Sequence, residues 1–124
     1  MKYMLLIYQN PANWEALSEG ERDAVMNDAT AIVNELTESG ELIAGDGLAD
    51  SSQTKTVRVR DGVPAITDGP FIEAKELMGG YSLIEVKSLE EAIGWAKRGL
   101  GVLGEGTNEI CPVMSPEDFA AAGQ

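Results

Sequence analysis

The stretch Lys2-Tyr3-Met4-Leu5-Leu6-Ile7-Tyr8 decides the fold. Successive side chains of an extended strand point to opposite faces. Tyr3, Leu5 and Ile7 therefore share one side, and Met4, Leu6 and Tyr8 share the other. Both sides are apolar, which is the pattern of a strand buried on both faces of a sheet. The rest of the chain must supply that cover.

Downstream, Pro11 and Asn13 mark a loop, and Ser18-Glu19-Gly20-Glu21 has the spacing of a helix capping box. Val25, Ala29, Ile32, Val33 and Leu36 then recur at helical spacing, which predicts an amphipathic helix over about 19–39. Gly40 ends it, because glycine takes a positive φ cheaply. Glu41 to Leu48 reads as a second strand, closed by Gly45-Asp46-Gly47. Thr54 to Arg60 alternates, Asp61-Gly62 is a strong hairpin turn, and Val63 to Thr67 returns antiparallel. Asp68-Gly69-Pro70-Phe71 is a turn by composition, and Gly79 to Val86 is another strand. Ser88-Leu89-Glu90-Glu91 has the form of a second capping box. It opens a helix with Leu89, Ala92, Ile93 and Ala96 inward and a predicted stop near Gly99. Gly101, Gly104 and Gly106 read as a flexible connection, and Glu109 to Val113 as a last strand. Ser115-Pro116-Glu117-Asp118 starts a short final helix.

Without the hairpin the order is βαββαβ, the ferredoxin-like arrangement of two split βαβ halves. The fold class is α+β: an antiparallel sheet with helices on one face and a β-hairpin inserted. Two helices leave one sheet face bare, yet the first strand is apolar on both. A second copy packing sheet to sheet supplies the cover economically, so a homodimer is expected. Loops and the C-terminal helix are the alternative cover.

Composition narrows the chemistry. The 124 residues carry 21 Asp and Glu against 9 Lys and Arg, a formal net charge of −12, with a pI near 4.2. One domain over residues 1–124 is expected at this length. There is no histidine and one cysteine, Cys111. That removes Ser-His-Asp and Cys-His nucleophile systems, His-ligated metals and internal disulfides. The acidity opposes binding to nucleic acid, where cations must neutralise phosphates, and to anionic membranes. The apolar run Met4 to Tyr8 is too short for a signal peptide, and no stretch approaches the ~20 apolar residues of a membrane span. A cytoplasmic protein is expected, and a lone reduced cysteine fits that compartment. The glycine-rich Gly99 to Gly106 lacks a P-loop ending and follows a helix, so it reads as a connector. No metal and no cofactor are expected.

Residues 68–85 are the most individual part of the chain. Asp68-Gly69-Pro70-Phe71, then Glu73, Lys75, Glu76, Gly79, Gly80 and Tyr81, resemble the DGPF domain family, a branch of the YCII-related proteins. Gly40-Glu41-Leu42, Gly45, Leu48 and Thr56-Val57-Arg58 extend the likeness over nearly the whole chain. The resemblance implies a dimeric α+β barrel built from ferredoxin-like protomers. It implies no settled reaction. Wider relatives have a His-Asp pair proposed as catalytic, and this chain has no histidine to match it. Many relatives resemble partners of extracytoplasmic-function sigma factors, which implies an accessory or regulatory setting as the alternative to small-molecule binding.

The charged groups admit two readings. In one, Asp46, Asp68, Phe71, Glu73, Lys75, Glu76 and Tyr81 line a ligand pocket at the dimer interface, with Lys75, Arg58 or Arg60 holding an anionic ligand. A buried carboxylate there could serve as a general base. In the other, Asp68 caps a turn, Phe71 anchors the bend to the core, and the charges form a solvated face. Glu73 and Glu76 share a side if their segment is one helical turn. Arg58 and Arg60 equally suit an exposed strand that discourages edge pairing. Cys111 reads as a buried, inert thiol, and Met4, Met26, Met78 and Met114 as core filler.

Overall fold

The computed structural model describes residues 1–71 and 74–123. The elements are β1 (Lys2–Gln9), α1 (Pro11–Glu15), α2 (Glu19–Glu38), β2 (Leu42–Gly47), β3 (Lys55–Arg60), β4 (Val63–Asp68), β5 (Leu77–Glu85), α3 (Leu89–Leu103), β6 (Thr107–Pro112) and α4 (Pro116–Ala122). One 3-10 turn, Ser51–Gln53, precedes β3. The main sheet has four strands in the order β2-β5-β1-β6, and its three pairings are all antiparallel. The strand that is apolar on both faces is thus central. β3 and β4 form a separate two-stranded hairpin. This is the expected α+β, ferredoxin-like protomer. The single chain forms an open sheet, not a closed barrel.

Local chemistry explains most boundaries. Ser18 and Glu21 bond reciprocally to each other's backbone N–H, at 3.2 and 3.0 Å, and so open α2. Gly40, at φ 77°, turns the chain out of that helix into β2. Asp61 and Gly62, at φ 52° and 78°, make the mirror-image turn that matches hairpin twist. A side chain on Gly80 would meet the Asp46 carbonyl at 3.0 Å, so glycine there lets β2 and β5 come together.

Four sequence expectations are corrected. The loop at Pro11 and Asn13 is a one-turn helix: Asn10 caps it through the Ala12 N–H, and Pro11 fills the first position, where no N–H is needed. The second helix does not stop near Gly99. It runs to Leu103 and ends at Gly104, φ 75°, because Leu100 and Leu103 continue the inward stripe begun at Ala92 and Ala96. Apolar packing outweighs the helix cost of Gly99 and Gly101, about 1 kcal/mol each. The Ser88 capping box is one-sided. Ser88 Oγ accepts from Glu91 N–H, but the Glu91 carboxylate turns to Lys87 N–H. Within the stripe, Leu89 is exposed and Trp95 packs on the core in its place.

The core consists of Tyr3, Leu5, Leu36, Ile84, Val86 and Ala92, with Ile32, Leu42, Trp95 and Ile110 packed against it. It joins the start of β1, the end of α2 and the start of α3. Tyr3, Leu5 and Ile84 face the helices. The opposite face carries the row Ala44, Leu83, Met4 and Cys111, and beside it the row Asp46, Tyr81, Leu6 and Glu109. The helices α2 and α3 lie on the other side of the sheet from these rows.

Candidate functional site

Packing closes the sheet–helix layer at one end only. Toward the far end of β1 the helices stand off, and a cleft of about 510 Å3 opens between them and the sheet. Its floor is Leu5, Ile7 and Gln9 of β1, Ser82 of β5 and Asn108 of β6. One wall is the outer half of α2, from Val25 to Val33, and the other is the second half of α3, from Trp95 to Leu103. Trp14 of α1, Leu48 to Ser51, and Leu77 to Gly79 form the rim. The volume lies in the usual range for small-molecule sites, roughly 300–1,000 Å3.

The walls are mostly aliphatic and aromatic, and the polar groups are few. Asn108 sits beside Ile7 in the sheet register and lines the floor. Its amide oxygen is buried and has no hydrogen-bond partner. A buried acceptor left unpaired costs about 1–3 kcal/mol, so nearly all such groups in native proteins have a partner. Glu15 and Asp50 stand at the rim as carboxylates. Asp50 accepts the Ser52 N–H at 2.8 Å, and that bond holds its carboxyl below the usual range, hence ionised. No lysine or arginine lines the cleft among the described residues. Arg22 lies close to the rim, where its Nε donates to the Trp14 carbonyl at 3.1 Å and its Nη2 to the Glu15 carbonyl at 2.9 Å.

The residues singled out from sequence lie elsewhere, in small separate groups. Tyr81 and Asp46 do meet: the phenol donates to Asp46 Oδ2 at 2.7 Å on the bare sheet face. That bond and the carboxylate's charge raise the Tyr81 pKa. Tyr8 lies on the same face, and its interaction with the Glu109 carboxylate raises its pKa as well. Arg58 stacks on Phe71, its guanidinium 4.7 Å from the ring centre. Phe71 is 64% exposed, so it holds no bend to the core. The hairpin that carries Arg58 stands away from the main sheet, and Phe71 follows it. Asp68 pairs with Lys55 across the hairpin. Lys75 and Glu76 lie in a bend and not a helical turn, and Glu76 accepts the Thr107 hydroxyl at 2.8 Å. Glu73 lies outside the described residues. Cys111 is half-buried on the bare face. Met26, Met78 and Met114 are exposed and fill no core; the first two border the cleft.

Sequence reading missed Asn108. The available signal was its place in β6, where an amide interrupts the inward-facing set that continues with Ile110. The cleft's other residues come from elements distant in sequence, and no local motif joins them.

Comparison with known proteins agrees with this architecture. Residues 1–115 match the YCII-related domain family. An uncharacterised protein of Rhizobium meliloti (strain 1021) is 34% identical over 97 residues, covering 78% of each chain. Among solved structures, the 5-chloro-2-hydroxyhydroquinone dehydrochlorinase of Burkholderia phenoliruptrix AC1100, in complex with 2,5-dihydroxybenzoquinone, superposes with a TM-score of 0.51. That match covers 94% of this chain and 97% of the enzyme, at 11% identity, so the likeness is one of fold. Sequence match and fold agree, and the chain belongs to the YCII-related family.

Proposed function

We propose that this protein binds a small, largely apolar molecule bearing a hydroxyl or amino group, and that the molecule sits in the sheet–helix cleft. One observation carries the reading: a mostly apolar cleft whose floor includes Asn108, the amide oxygen of which is buried without a partner. A small turn of the Asn108 side chain would offer that oxygen to a donor on the ligand, while the ring or chain buries itself against Ile7, Ile32, Trp95 and Leu100. The dehydrochlorinase of the same fold was solved with a small oxygenated ring, which is compatible in size. The site described is suited to binding. No histidine is present, and the carboxylate with a shifted pKa at the rim, Asp50, is pushed down, away from the range of a general base.

A second copy covers the bare sheet face in this proposal. The row Ala44, Leu83, Met4 and Cys111 supplies its apolar centre. Pairing of two such sheets would make the dimeric barrel, and the cleft would remain within each protomer, on the opposite side of its sheet.

Isothermal titration with 4-propylphenol tests the cleft. Saturable binding is expected, and Asn108→Leu should weaken it by about tenfold, the worth of one buried hydrogen bond. Propylbenzene, which lacks the donor, should be insensitive to that substitution. Absence of saturable binding by any phenol of one or two rings would overturn the reading.

A further inference from the structure

The charges around the cleft narrow the ligand further, on the footing that the cleft is the binding site. We infer that it takes uncharged, donor-bearing rings of the phenol class and rejects carboxylates and other anions of the same shape.

Three observations support this. The lining has no lysine or arginine among the described residues, so nothing in the cleft can neutralise an anion entering it. Two carboxylates, Glu15 and Asp50, stand at the rim, and Asp50 is held ionised by its bond to Ser52 N–H. Among the described residues, the one buried side-chain atom without a partner is the Asn108 amide oxygen, an acceptor beneath the cleft floor. An acceptor is satisfied by an O–H or N–H and repelled by a carboxylate oxygen. Each contribution has the same sign. An anion would shed its water among Leu5, Ile7, Trp95 and Leu100 without recovering an ion pair, and the neutral donors of Ser51, Ser82 and Gln9 would offset only part of that cost. It would also pass two fixed negative charges, in a chain whose net charge is already −12.

This runs against the reading of Lys75 or Arg58 as an anion holder. Neither lines the cleft, and Arg58 is stacked on Phe71 out on the hairpin.

A matched pair of probes tests the inference: methyl 4-hydroxybenzoate, neutral at pH 7, and 4-hydroxybenzoate, ionised there. Both carry the same phenol. Calorimetric titration should show the ester binding at least about tenfold more tightly than the acid. The double variant Glu15→Gln, Asp50→Asn keeps both side-chain shapes and the Asp50 capping geometry. It should raise the affinity for the acid severalfold and leave that for the ester unchanged. Equal affinities for the two probes, or a preference for the acid, would overturn the inference and leave the cleft as a binding site. An acid affinity unmoved by the double variant would overturn the role given to the rim carboxylates. Binding of neither probe, nor of 4-propylphenol, would instead bring down the proposed function itself.

Discussion

Tyr81 and Asp46 were both expected near one site, and the bond between them has a measurable consequence. Ionising the phenol puts two negative charges 2.7 Å apart and removes the proton they share. The folded protein therefore holds Tyr81 protonated above the ordinary tyrosine value of roughly 10. A pKa raised on folding contributes stability in full below the unfolded value and loses it as pH rises through the folded value. The hydrogen bond thus persists through neutral and mildly alkaline conditions and fails only above about pH 10. Phenolate absorbance at 295 nm should show Tyr81 titrating late, and Asp46→Asn should bring it back toward the ordinary value. Tyr81→Phe identifies which transition belongs to it. An unchanged titration in Asp46→Asn would remove the charge as the cause. Legibility at this scale was uneven. Tyr81 and Asp46 were placed near each other, but their bond depends on the register of β2 against β5, which forms only on folding. Phe71 looked like an anchor because it is aromatic and follows a bend, but nothing local reveals that the hairpin lifts it away from the core.

Helix ends were readable where side chain and backbone act within one turn. The Ser18–Glu21 and Ser115–Asp118 boxes both form, and the backbone bonds that their carboxylates accept lower the pKa of Glu21 and Asp118. The end of α3 was misread, since local glycine content pointed to a stop and the deciding contacts are tertiary. That conflict yields a paired test. Gly101 lies inside the helix, and an added Cβ meets nothing within 4 Å. Gly101→Ala should stabilise the protein by about 0.5–1 kcal/mol in urea unfolding. Gly104, three residues on, is at φ 75°, where a side chain is strained. Gly104→Ala should cost about 1–2 kcal/mol. Effects of the same sign at both positions would contradict the helix boundary. The cleft was illegible at this scale because its floor alone comes from three strands, and the rows that matter exist only after pairing.

For the whole molecule, the issue is the second face of the sheet. Met4, Leu6 and Leu83 are half-buried on the face away from α2 and α3, and one polar group beside them, Asp46, is already bonded to Tyr81. A second copy would bury the apolar row and leave that pair intact. Light scattering should report twice the chain mass, and Leu83→Lys together with Met4→Lys should shift it to one chain mass. Retention of the helical circular-dichroism signal would show that the protomer still folds. A monomeric wild-type protein would refute the dimer. The fold class itself was legible from order alone, because β1 could be placed centrally by its two apolar faces and the remaining strands had few ways to flank it.

The central place of β1 also dictates when the protein can fold as it is made. β1, which precedes the other strands in the chain, pairs with β5 and β6, and the Met1 amino group reaches the Val86 carbonyl at 3.0 Å. Nothing translated before residue 77 completes a strand that β1 can pair with in the main sheet. The apolar segment Met4 to Tyr8 must therefore leave the ribosome and wait, unpaired, while most of the chain is still being assembled. Non-local pairing of this kind is slow to form and exposes sticky surface meanwhile. A net charge of −12 would then favour the solubility of the nascent protein, since like-charged copies repel.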